Sequence, residues 1–155
     1  MLDIRPVTRD NWRELGKLQV RESQTHFVAS NIISIAEAQF GGDYTETGHW
    51  DMFPHGIYEG EMPVGFLMYA LNFECPKMQA LIVRLMVDEK YQGRGYGFFA
   101  MKWIINNLYL NDRVIKVGIS YEPDNVVARS LYIKCGFIEI GEKLGEEVLA
   151  VLRVR

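Results

Sequence analysis

The chain has 155 residues, 48% of them apolar and 24% charged, which suits one globular domain with a real core. Its net charge of −3 disfavours a nucleic-acid partner, and no apolar run approaches the roughly 18 residues of a membrane span. Two cysteines, Cys75 and Cys135, with no CxxC pair, argue against a disulfide framework or a zinc site and for a cytoplasmic setting.

Met1 to Arg9 is charged and lacks an apolar signal core, so export is not expected. Within it, Leu2–Val7 alternates as an opening strand. Arg9–Val20 predicts a helix that puts Trp12, Leu15, Leu18 and Gln19 on one face, capped by Asp10 or Thr8. Ser34–Phe40 reads as a second short helix begun by Ser34. Gly41–Gly48 is polar and turn-rich, the best candidate for a mobile loop. His55–Phe73 gives two strands joined by a Glu-Gly-Glu turn.

Gln79–Asp88 is nearly all apolar except Arg84, as expected of a central strand covered on both faces. Arg84 either reaches solvent at a sheet face or holds an acidic partner. After a glycine-rich stretch comes a helix on which Phe99, Trp103, Ile104 and Leu108 fit the helical period. Arg113–Ser120 is another strand. Glu122–Phe137 is a helix capped by Asp124 and closed by Gly136, and the rest forms a hairpin turning at Leu144-Gly145. The order β-α-α-β-β-β-α-β-α-β-β describes an α+β mixed sheet in a single domain over residues 1–155.

The stretch Gln92-Gly93-Arg94-Gly95-Tyr96-Gly97 leaves a strand and enters a helix. Free N–H groups of a first helical turn and the helix dipole favour an anion there. Glycines at 93, 95 and 97 remove the side chains that would keep a phosphate away, and Arg94 adds a charged fork. A P-loop would need Lys-Ser/Thr where Phe98-Phe99 stand. The dinucleotide fingerprint would need a third glycine at Phe98.

The remaining pattern, Q/R-x-x-G-x-G/A, resembles the pyrophosphate loop of the GNAT superfamily of acetyl-CoA-dependent N-acetyltransferases. About 30 residues on, the run from Asn125 to Phe137, NVVARSLYIKCGF, is similar to that family's second block. The resemblance covers the whole chain. It implies a twisted mixed sheet of about seven strands with about four helices and two central strands that splay apart. It also implies that acetyl-CoA is the co-substrate. Its pantetheine arm would pair with Leu85, Met86 and Val87, and its pyrophosphate would rest on Gln92 to Phe98. Asn125 resembles the family's cofactor-contacting asparagine, and helix capping is an equally good reading of it.

Acyl transfer to an amine needs a neutral nucleophile, a stabilised oxyanion and a proton for the leaving thiolate. The family's general acid falls at Tyr132; packing against Val127, Ala128, Leu131 and Cys135 is the plainer role. A backbone N–H near Leu85 or Met86 is the candidate oxyanion donor. No side chain announces a general base, with Glu37 and Glu74 the acids considered. His26, His49 and His55 lack metal-like spacing, so no metal is expected.

Leu18–Ala38 looks like the corresponding run of bacterial polyamine and diamine acetyltransferases. Glu22, His26, Glu37 and Glu74 are the candidate contacts for such an acceptor. Residues 1–80 carry 11 acidic and 6 basic side chains, a balance of −5, while residues 81–155 carry 9 and 11, a balance of +2. Aminoglycosides, amino acids and protein N-termini are rival acceptors. A non-catalytic acyl-CoA sensor is the rival class, which Tyr132 argues against. Homodimers are common in the family, and nothing in the sequence fixes an interface.

Overall fold

The computed structural model describes residues 1–155. In chain order the elements are β1 (Leu2–Pro6), α1 (Trp12–Gly16), α2 (Asn31–Phe40), β2 (Asp43–Tyr44) and β3 (Gly48–His49). The long hairpin β4 (Asp51–Glu59) and β5 (Met62–Leu71) precedes β6 (Ala80–Val87) and α3 (Tyr96–Tyr109). Then come β7 (Lys116–Tyr121), α4 (Val126–Lys134), β8 (Ile138–Leu144) and β9 (Glu147–Arg153). Seven strands form one sheet in the order β1-β4-β5-β6-β7-β9-β8, and β2-β3 is a separate ribbon.

Apolar residues on the two sides of the sheet explain its layers. Ile57, Leu67, Ile82 and Val117 meet Ala100, Met101, Ile104 and Leu108 of α3 and Tyr132 of α4. On the other face Phe66, Met68 and Met86 meet Leu18, Val28 and Ile35 from the α1–α2 region. The alternation along β5 and β6 thus feeds two cores, which is why β6 reads as a continuous apolar run.

The sheet opens in the middle. β6 and β7 are parallel and pair only at Ala80 with Val117, Leu81 with Gly118 and Ile82 with Ile119. Beyond that, β6 continues with β5 to Val87, and β7 continues with β9 to Tyr121. A bulge marks the divergence: Tyr69 opposes Ile82 and Met68 opposes Arg84, leaving Val83 as an extra residue. Cross-strand partners share a face, so the extra residue sends Arg84 with Met68 toward α1 and α2 rather than into the α3–α4 core.

Local differences from the sequence expectations have physical causes. α1 stops at Gly16 instead of reaching Val20. Gly16 lies so close to α2 that a Cβ there would stand 2.3 Å from Ile32 Cδ1. Asp88 then draws the following chain away from helical pairing by accepting the Gln19 N–H at 3.0 Å. α2 starts earlier than expected because Ser30, not Ser34, caps it by accepting the Ile33 N–H. Where a mobile loop was expected over 41–48, Asp43 and Tyr44 pair with His49 and Gly48 as the β2–β3 ribbon, braced by His49 between Asp43 and Asp51. α4 is capped by Asn125 rather than Asp124.

Candidate active site

Asp88 directly follows β6 and is 7% exposed. Its carboxylate accepts the Lys90 N–H and the Gln19 N–H, which fixes the turn leading into the glycine loop. Gln92 Nε2 then donates to the Val87 carbonyl at 3.0 Å and to Gln24 Oε1 at 2.9 Å, tying the loop to β6. Gly93 (φ 79°) and Gly95 (φ 83°) are left-handed, and Gly95 is the N-cap of α3. A Cβ at either would meet nothing within 4 Å. Backbone conformation and an open approach, not packing, call for glycine here.

Arg94 is exposed, with its guanidinium 5.4 Å from the Tyr91 ring centroid. The Phe98 ring turns away from the loop, between the ammonium groups of Lys102 and Lys134. Phe98 therefore offers the loop side its backbone N–H and not its ring.

β6 presents a free edge where it leaves β7. The Asp88 N–H bonds to the Val64 carbonyl of the β5 side, and strand alternation sends the Met86 N–H the same way. The N–H groups of Leu85 and Val87 consequently turn to the open side. Of the two expected oxyanion donors, Leu85 is the available one and Met86 is not.

Two cavities meet at this edge. One, about 380 Å³, runs along Leu85–Val87, the loop residues Gln92, Gly93 and Gly95–Gly97, and α4. The other, about 460 Å³, lies in the splay between β6 and β7 and includes Ile82, Arg84, Ser120, Tyr121 and Glu147. Phe27, Val28, Leu85, Asn125, Ala128 and Tyr132 line both. Asn125 caps α4 through Oδ1, bonded to the Ala128 N–H, and so serves as cap and cavity wall together.

Tyr132 is 8% exposed and stands at the junction. Its ring packs 5.5 Å from that of Tyr121 and 6.4 Å from that of Phe137. Burial pushes its pKa upward, reinforced by the charge of Glu147, so the hydroxyl is protonated at neutral pH. Tyr121 is also pushed up, to about 12, by burial and by its hydrogen bond to Glu139. Arg129 Nε binds the same Glu139 at 2.7 Å.

The acceptor candidates fall in different places. His26 lines the splay cavity and meets Asp124 Oδ2 at 3.4 Å across its mouth. Glu37 is tied to Arg84 Nη2 at 3.4 Å, so Arg84 does hold an acidic partner. Glu22 lines a separate hollow with Glu89 and Met86. Glu74 is exposed in the β5–β6 turn, at the start of β6 rather than beside the splay, and lines neither cavity. Sequence reading missed Glu147, Ser120 and Asp88, while Phe27 lies in the Leu18–Ala38 run that it singled out. The isolated acids gave no periodic or motif signal; only the β7–β9 register brings Glu147 to the cleft.

Residues 12–137 match the model of the acetyltransferase (GNAT) family. The chain belongs to that family. It is 29% identical over 145 residues to a spermine/spermidine N(1)-acetyltransferase of Bacillus subtilis, covering 91% of this chain and 90% of that protein. Among solved structures, spermidine N-acetyltransferase from Vibrio cholerae, in complex with CoA and spermine, superposes with a TM-score of 0.72. The identity there is 14%, over 98% of this chain and 95% of that one. An aminoglycoside acetyltransferase in complex with coenzyme A and kanamycin gives 0.75 at 14% identity, over 99% and 95%. The GNAT protein is thus an acetyl-CoA-dependent N-acetyltransferase. No helix is long and apolar enough to cross a membrane, and no group of three or more His, Cys, Asp or Glu is arranged to hold a metal ion.

Proposed function

We propose that this GNAT enzyme acetylates a primary amine of a polyamine or diamine, by direct attack in a ternary complex. The observation that carries the reading is the junction of the two cavities at Tyr132. A cofactor reaching along β6 from the glycine loop brings its thioester there, and an amine in the splay meets it without leaving the protein. In this reading the Leu85 N–H stabilises the oxyanion and Tyr132 protonates the departing thiolate. The named activity of the Bacillus subtilis relative supports a polyamine acceptor. An acetyl-transfer screen over an amine library tests the choice, with spermidine, spermine and diamines expected as the fastest acceptors.

Arg84 favours a second reading. Arg84 lines the splay and its Nε is buried without a hydrogen-bond partner, a feature suited to an acceptor bearing a carboxylate. For a polycation, Glu37 must offset that charge. Glu37→Gln is therefore expected to raise KM for spermidine about threefold, the range of a partly exposed ion pair, with less effect on a neutral-tailed amine. Glu74→Gln should leave both unchanged, since that side chain is remote from the cleft. Steady-state kinetics on both variants checks this. Equal KM changes for the two amines would count against the polyamine acceptor.

A further inference from the structure

One carboxylate in the splay has no task in the scheme so far. Glu147 opens β9, and Ser120 Oγ of β7 donates to its Oε1 at 2.8 Å. β7 and β9 pair Ser120 with Leu149. Residues two apart share a face, so Glu147 and Ser120 lie on the α1–α2 side, whereas Tyr121 lies on the α3–α4 side with Tyr132. The gap between β6 and β7 lets Glu147 and Tyr132 reach one cavity from opposite faces of the sheet.

The other charged groups around this cavity are engaged or displaced. Arg84 is a cation held by Glu37, and His26 is at the mouth with Asp124. Glu139 is held by Arg129 and Tyr121. Tyr121 and Tyr132 are both driven toward the protonated form, in Tyr132 partly by the charge of Glu147 itself. Glu147 is the carboxylate that lines the cleft with no cation against it.

We propose that Glu147 is the general base that takes the proton from the attacking ammonium, with Ser120 as the positioning residue that holds its carboxylate. The inference rests on the ternary-complex reading above. The ammonium gives one proton to Glu147, and its freed lone pair attacks the acetyl carbonyl carbon. The C–N bond forms, the C–S bond breaks, and the sulfur takes the Tyr132 hydroxyl proton. The acylated nitrogen sheds its second proton, which restores Tyr132 through solvent, while Glu147 releases the first to bulk. One ammonium and one acetyl-CoA become one acetamide, one thiol and one free proton.

Glu147→Gln keeps an oxygen for Ser120 and removes the base. At neutral pH its kcat/KM for the best amine should fall about tenfold, less than the usual 10²–10⁴-fold of a general base because water substitutes in part. The deficit should shrink as pH approaches that of the free amine, about 10, where no base is needed. Coenzyme A affinity and melting temperature should match the parent. Ser120→Ala should give a smaller loss with the same pH shape. A deficit constant with pH, or kcat/KM within about twofold of the parent at neutral pH, overturns the role of Glu147. Initial rates of the parent test the ternary complex separately: intersecting lines support it, and parallel lines defeat it whatever Glu147 does.

Discussion

Tyr132→Phe should lower kcat about a hundredfold, within the usual worth of a general acid. The substitution removes one hydroxyl and almost no volume. The ring keeps its contacts with Tyr121 and Phe137 inside the α3–α4 core, so melting temperature should hold. Tyr132 lines both cavities where they meet, and the thiolate departs there in the proposed scheme. Its upward-shifted pKa keeps it protonated well above neutral pH, so its own ionisation should cause no fall in the parent's rate across that range. Coenzyme A affinity should change little, because in the proposed scheme the loop and the β6 edge carry most of the cofactor. If Tyr132 only packed, Phe would serve as well. A kcat within about twofold of the parent returns the residue to the core.

Gly95→Val should weaken coenzyme A binding about thirtyfold, because a β-branched residue at φ 83° carries strain on the order of 1–3 kcal/mol. Nothing stands within 4 Å of the added Cβ, so the substitution fits sterically in the free protein. Rotating the loop out of its left-handed turn would relieve the strain, and in the proposed scheme that rotation removes the N–H groups of the first turn of α3 from the pyrophosphate. Gly93→Val acts on the same loop, whereas Gly60→Val in the β4–β5 turn strains the backbone just as much without touching the cofactor. Calorimetric titration with coenzyme A should therefore separate the loop from the remote turn. Equal losses at Gly95 and Gly60 would mean that only general destabilisation is being read.

Much of this architecture is legible in the sequence because single positions dictate it. Gly95 and Gly136 fall where a left-handed residue starts or ends a helix, and the apolar run Ala80–Val87 has one explanation, burial on both faces. The end of α1 was hidden because it depends on distant partners: Ile32 against Gly16, and Asp88 holding Gln19 from 69 residues away. The β2–β3 ribbon was hidden for a similar reason. Two residue pairs and a histidine between two aspartates leave no periodic pattern.

The geometry of the glycine loop was legible and that of the splay between β6 and β7 was not. Gln92 to Gly97 is contiguous, so its chemistry survives in a short string. The splay is assembled from β6, β7, β9 and the segment before α2, and its charges depend on register. The bulge at Val83 decides which face Arg84 joins, and the pairing of Ser120 with Leu149 decides where Glu147 points. Acidic residues counted along the chain therefore named Glu74, which lies elsewhere, and passed over Glu147.

The central claim is that an amine in the splay and a thioester on the β6 edge react directly beside Tyr132. The most direct measurement is single-turnover transfer from enzyme-bound acetyl-CoA to spermidine, followed by thiol release and product mass for the parent and Tyr132→Phe. The account predicts one thiol and one acetylated spermidine per bound cofactor in the parent, at a rate that falls steeply in the variant while the bound cofactor stays the same. Thiol release at equal rates in parent and variant, or release without any acetylated amine, would contradict it.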